Sequence, residues 1–225
     1  MYGVIDFYRA CKAEGIQPII GCEVYVAPRG RTRFQKAHEF DAESRHLVLL
    51  CRNEEGYRNL SYMVSQAFLE GFYIKPRIDM DLLREHCGGL IACSACLAGE
   101  LPRLLLAGEY DQAKATALEM QELFGPDGYY LELQDHGIPQ QTTVNRGLLR
   151  LHQETGIPLV CTNDAHYLRR EDAEMQDTLM CIQMGKTLDD PGRMKFETSE
   201  FYVKSEEEMA ALFPDCPEAI ENTEK

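Results

Sequence analysis

The segment Pro158-Leu-Val-Cys-Thr-Asn-Asp-Ala-His-Tyr167 carries a short apolar run that stops at Asp164 and His166. A strand of this length delivers a carboxylate and an imidazole, two residues apart on one side of the chain, to its carboxyl end. In α/β barrels that end carries the chemistry. Two readings stay open for the pair: a capping aspartate beside a hydrogen-bonded histidine at a turn, or part of a site. Three further residues add to the second reading. Glu23 lies inside an apolar strand between Cys22 and Val24, His46 opens another strand, and Cys96 follows a third. Carboxylate, imidazole and thiolate together are the ligand set of zinc or of a mixed metal cluster. Glu23 is expected to be buried, and a buried carboxylate is costly unless an Arg, a Lys or a metal ion pairs with it.

Other candidates are weaker. Cys93 and Cys96 form a Cys-x-x-Cys, the spacing of a redox pair or half a zinc site, but no second pair follows at ribbon spacing. Simple packing is the better reading of Cys93. His136, in Leu133-Gln-Asp-His-Gly137, either rims a site or serves a turn ahead of the helix near Pro139. His38, His86 and His152 read as ordinary solvated residues. Arg29, Arg31, Arg33 and Lys36 share one polar loop and either contact phosphate or are solvated. No phosphate-binding glycine loop, nucleophile elbow or dinucleotide fingerprint is present.

The elements that must position these residues alternate. A helix holding Val4, Phe7, Tyr8 and Cys11 runs to Gly15, a residue suited to the left-handed turn after a helix. Strands follow at 18–26, 46–51, 89–93, 129–133 and 159–161. Between them lie a helix capped by Asn53, a short one near 80–85, segments at 100–107 and 110–124, and a helix over 140–155. Strands spaced by helices of this length predict parallel pairing through right-handed crossovers. After Tyr167 come a helix over 171–185, a loop at 189–192, an extended piece at 201–203 and a capping box of Ser205 with Glu208. One domain is the economical reading. Five strands are too few to close a parallel barrel, so either an open sheet or a fragment is expected.

The 225 residues are 44% apolar, enough for a sizeable core, and carry a net charge of −14. That charge excludes coating of nucleic acid by bulk electrostatics; such contact needs a local patch or a neighbouring domain. Nine cysteines set singly in apolar runs, with no signal peptide ahead of them, predict a reduced, cytoplasmic setting. No apolar run approaches the roughly 20 residues of a spanning helix, so no membrane contact is expected.

Seven blocks, in order, resemble the polymerase and histidinol phosphatase (PHP) domain family in the form carried by bacterial DNA polymerase III alpha subunits. They are Gly21-Cys-Glu-Val-Tyr-Val26, His46-Leu-Val-Leu-Leu50, Asn53-Glu-Glu-Gly-Tyr-Arg-Asn-Leu60, Tyr73-Ile-Lys-Pro-Arg77, Ser94-Ala-Cys-Leu-Ala-Gly-Glu100, Leu131-Glu-Leu-Gln-Asp-His-Gly-Ile-Pro139 and Thr162-Asn-Asp-Ala-His-Tyr167. The resemblance implies an α/β fold, a distorted parallel (β/α)7 PHP barrel, here lacking its first two strands. It makes residues 1–225 a partial PHP domain, with 168–225 a helical extension leading toward a polymerase core. It makes Glu23, His46, Cys96, Asp164 and His166 metal ligands for zinc or manganese, at partial or absent occupancy. Four of the family's nine ligands have no counterpart, because the His-x-His and Asp-His-Gly-Asn strands that open the family are not matched.

Members with full sites resemble 3′–5′ exonucleases or phosphoesterases, and others keep the fold as a scaffold. The resemblance therefore implies a replicative DNA polymerase as parent, with DNA and other replicase subunits, including a proofreading exonuclease, as partners. For this chain it implies an incomplete site of little activity and a scaffold role, with a self-standing histidinol-phosphatase-like enzyme as the alternative. Exposed barrel edges imply pairing with a second copy. His46 opens its strand, whereas a ligand on a barrel's carboxyl-terminal face is expected to follow one.

Overall fold

The computed structural model describes residues 1–37 and 39–225, so His38 lies outside the described residues. The chain divides into two compact units, Met1–Leu131 with Leu151–Pro158, and Glu132–Arg150 with Leu159–Lys225.

In the first unit, helix α1 (Val4–Ala13) gives way to Gly15, whose φ of 72° provides the expected left-handed turn. Strands β1 (Gly21–Val26) and β2 (Arg45–Cys51) then pair antiparallel, with Val24 opposite Leu47 and Tyr25 opposite His46. Their alternation is the period-two pattern of a half-covered sheet. Val24, Val26, Leu47 and Leu49 are buried, whereas Glu23, Tyr25, His46 and Val48 occupy the other, more open face. Between the strands lies a short helix, α2 (Glu39–Ala42).

Helix α3 (Glu54–Leu69) starts where the Asn53 side chain accepts the Gly56 N–H at 3.0 Å, and its buried stripe is Leu60, Met63 and Ala67. Gly56 is required there, since a Cβ would sit 1.9 Å from the Gly89 carbonyl oxygen. A two-residue strand absent from the sequence reading, β3 (Arg77–Ile78), pairs parallel with β1. Helix α4 (Met80–His86), capped by Asp79, leads to β4 (Leu90–Cys93), which runs antiparallel to β2. Helices α5 (Glu100–Leu106) and α6 (Tyr110–Phe124) precede β5 (Tyr129–Leu133), parallel to β4.

The expectation of uniformly parallel strands is therefore corrected. The β1–β2 link has no crossover helix long enough to return the chain, so β2 reverses at the end where β1 stops. The crossover through α3 leads to β3 and not to β4.

The arginine loop has a third role, beyond the two readings of the sequence. Arg31 forms a two-pronged pair with buried Asp41 at 2.6 and 2.7 Å, and Arg33 reaches Asp79 and Glu70, each at 3.0 Å. Arg29 binds Glu119 at 2.9 Å. Arg77 is fully buried and donates to the carbonyls of Gly71, Arg33, Gln35 and Asp41, the last at 2.6 Å. The loop is thus folded around its own cations. A guanidinium with several donors satisfies carbonyls that would otherwise lose water unpaired.

The second unit takes up the end of β5. Strand β6 (Leu159–Cys161) runs beside it, with the Thr162 N–H donating to the Leu133 carbonyl at 3.1 Å. The strand order is β3-β1-β2-β4-β5-β6, an open mixed α/β sheet and not a closed barrel. Helix α7 (Pro139–Thr155) follows β5. Tyr167, Phe201 and Tyr202 form a core with Ile138, Ala173 and Phe196 packed on it. Asn163 fastens the extended segment to this core, donating to the carbonyls of Glu200 at 2.9 Å and Tyr202 at 2.6 Å. Helix α8 (Ala173–Met184) ends at left-handed Gly185, and α9 (Glu206–Leu212) carries the expected Ser205–Glu208 capping box. Helix α10 (Pro217–Glu221) follows, and Asn222 then donates to the Leu159 carbonyl at 2.7 Å. Among the described residues no helix is long and apolar enough to cross a membrane.

Candidate metal centre

Glu23, His46 and Cys96 converge. The His46 Nδ1 lies 2.9 Å from the Glu23 carboxylate and 3.5 Å from the Cys96 sulfur, and one donor atom from each residue falls within 4.8 Å of the others. The strand register explains this. Tyr25 faces His46 across the ladder, so Glu23, two residues earlier, reaches His46 along the diagonal of the same face. Because β2 runs against both β1 and β4, its first residues lie where those strands end. That orientation answers the objection that His46 precedes its strand.

Cys96 is brought in by a tight loop after β4. The His46 N–H donates to the Ala98 carbonyl at 3.1 Å, Ala95 has a φ of 64°, and a Cβ on Gly99 would meet the Ser94 carbonyl at 2.3 Å. A non-glycine residue in that backbone region costs about 1–3 kcal/mol, so the loop is held by its surroundings.

Glu23 is not the buried carboxylate the sequence implied. Its side chain is 37% exposed, and its partner is a histidine rather than an Arg or Lys. The contact with Cys96, and then that with Glu23, pushes His46 up to about 9, burial opposing. Both partners approach the same nitrogen, so a cation held there would take the place of its proton. Around tetrahedral zinc a nitrogen and a carboxylate oxygen lie about 3.4 Å apart and a nitrogen and a sulfur about 3.6 Å; the His46–Glu23 spacing is 2.9 Å and the His46–Cys96 spacing 3.5 Å. Carboxylate, imidazole and thiolate are all ligand types that zinc accepts.

Asp164 and His166 belong to the second unit. His166 Nδ1 lies 2.6 Å from the Asp164 carbonyl oxygen, so it carries the proton and Nε2 presents its lone pair. Such a bond is the usual support of a metal-binding histidine. Asp164 has a φ of 43°, and its carboxylate is 4.0 Å from the imidazole. His166 packs on Phe196 and Phe201. His136 is a buried structural residue: Gln141 donates to its Nδ1 at 2.6 Å, Nε2 donates to the Asn163 carbonyl at 2.8 Å, and the ring stacks on Phe201. Burial pushes its pKa down, which suits a neutral ring.

Cys93 is buried in the core, in line with packing. His86 and His152 are half-buried rather than solvated: His86 packs on Tyr62, and His152 Nδ1 donates to the Ile157 carbonyl at 2.8 Å. Two residues beside the centre escaped the sequence reading. Tyr25 meets His46 edge to face at 5.2 Å between ring centroids, and the Lys75 ammonium lies 5.3 Å from the centre of the Tyr25 ring. The signal was the period-two face shared by Glu23 and Tyr25.

A mixed α/β sheet with a carboxylate–imidazole–thiolate cluster where β1 and β4 end accords with the family match: residues 1–136 fit the PHP domain, and the chain belongs to that family. The relatives it matches are named DNA polymerase III subunit alpha. It is 49% identical over 224 residues to the DNA polymerase III subunit alpha of Treponema pallidum, covering 99% of this chain and 19% of that protein. The subunits of the same name from Borreliella burgdorferi and Thermus aquaticus are 48% and 44% identical, over 99% of this chain and 19% and 18% of theirs. The chain thus spans about a fifth of the length of these relatives.

Proposed function

We propose that this chain is the PHP region of a DNA polymerase III alpha subunit and that Glu23, His46 and Cys96 hold a metal ion there; Asp164 and His166 are ligand-type residues of the second unit. The observation that carries this reading is the meeting of three ligand types at His46 Nδ1. Sulfur among the donors favours zinc over manganese. A bound metal would supply Lewis acidity toward a phosphoryl oxygen and a more acidic bound water. The residues of the chain orient it: the β1–β2 register fixes Glu23 against His46, and the Ser94–Gly99 loop fixes the thiolate. The substrate class that fits is a phosphodiester, in the setting of a cytoplasmic polymerase acting on DNA with its replicase partners.

Zinc calorimetry on the metal-stripped chain tests the assignment. One zinc per chain is expected, with affinity at least about tenfold lower in Cys96→Ala; unchanged affinity would refute it. A second reading, a scaffold for a proofreading subunit, is favoured by one surface. Tyr2, Phe68 and Phe72 are exposed, with ring centroids 6.1 Å apart for Tyr2–Phe68 and 6.3 Å for Phe68–Phe72. Co-elution with a proofreading exonuclease subunit, lost in Phe68→Ser, is its expected outcome; co-elution unaffected by that change would remove the surface from the account.

A further inference from the structure

The arginines of the 29–33 loop and Arg45 are already committed, each paired with a carboxylate. Lys75 differs: it is exposed and forms no ion pair among the described residues. Its ammonium lies over the Tyr25 ring at 5.3 Å, and that ring abuts His46 at 5.2 Å. Strand β1 sits between β2 and β3, so His46 reaches Tyr25 from one flank and Lys75 from the other.

The backbone under the lysine is tightly constrained. The Tyr73 N–H donates to the Lys75 carbonyl at 3.0 Å, and Ile74 has a φ of 63°, a conformation that branched residues keep only when their surroundings impose it. Two residues on, Arg77 is fully buried among carbonyls and pins the segment to β1. The lysine is therefore placed. An ammonium on an aromatic face keeps N–H donors for an anion, and on a chain of net charge −14 a local cation is what a polyanion must find.

Resting on the metal-centre reading, we propose that Lys75 over Tyr25 is a subsite for a second phosphate of a polynucleotide strand, adjacent to the phosphate taken at the Glu23–His46–Cys96 centre. Lys75 is a positioning residue, and the site it completes recognises a strand in preference to a single phosphate.

The test uses the zinc-loaded chain, with a thymidine decanucleotide followed by fluorescence anisotropy and thymidine monophosphate followed by calorimetry. Lys75→Ala is expected to weaken the decanucleotide about fivefold and to lower the salt slope of its binding by about one ion. Monophosphate affinity should not change, and Lys75→Arg should restore the decanucleotide. Unaltered decanucleotide affinity and salt slope in Lys75→Ala would overturn the subsite. So would an equal loss for both probes, or no decanucleotide binding by the unmodified chain. A chain that takes no zinc yet binds the decanucleotide through Lys75 would refute the metal reading and leave the phosphate subsite standing.

Discussion

Glu23 shows what residue types reveal and what they conceal. Its place in an apolar strand marked it as a candidate, but the argument from burial was mistaken, because the face it shares with Tyr25 and His46 is the open one. Which face of a strand a helix covers is a tertiary fact that alternation alone does not supply. Cys96 was legible as a ligand type following a strand, while its approach to His46 depends on Ala95 and Gly99 in a loop whose geometry no periodicity encodes. At this scale the thiols offer a separate test. Burial pushes Cys161 up to about 11 and also raises Cys22, Cys51, Cys87 and Cys216. Cys161 should react with iodoacetamide at pH 7.5 far more slowly than a free thiol, as measured by mass spectrometry. Labelling at the free-thiol rate would contradict its burial.

At the scale of elements, helix positions and most strands were readable because caps and apolar stripes are local: Asn53, Gly15 and the Ser205–Glu208 box all stand where the sequence placed them. Strand direction was not readable. The parallel expectation assumed that each helix returns the chain to a neighbouring strand, and β3, only two residues long, breaks that assumption. The arginine loop was equally opaque, since its partners Asp79, Glu70 and Glu119 lie far along the chain. Two substitutions probe these elements. Arg77→Met should cost at least about 3 kcal/mol in urea unfolding, because buried carbonyls lose their donor. Gly56→Ala should cost about 1–3 kcal/mol, since the new Cβ meets the Gly89 backbone. A change within about 0.5 kcal/mol in either would contradict the packing described.

At the scale of the whole molecule, family membership was legible from seven ordered blocks, and the profile match over residues 1–136 agrees. The division into two units was not, because each is assembled from two separate stretches of chain. A pH dependence follows from the thiols taken together. A thiol with a raised folded pKa stays protonated after the unfolded chain has ionised. The fold then binds the extra proton above about pH 8.5, and stability falls from there towards about pH 11. The urea midpoint should therefore drop between pH 8 and pH 10.5, less steeply in Cys161→Val; a flat profile would count against it.

The metal centre is the claim on which the functional account stands, and cobalt substitution tests it most directly, because a thiolate bound to cobalt gives a charge-transfer band that carboxylate and imidazole ligands do not. The metal-stripped chain should develop that band on addition of one equivalent of cobalt. Cys96→Ala should abolish it, and Glu23→Gln should raise the cobalt concentration needed. A chain that shows no band, or one whose band persists in Cys96→Ala, would contradict the assignment of Glu23, His46 and Cys96 as a metal centre.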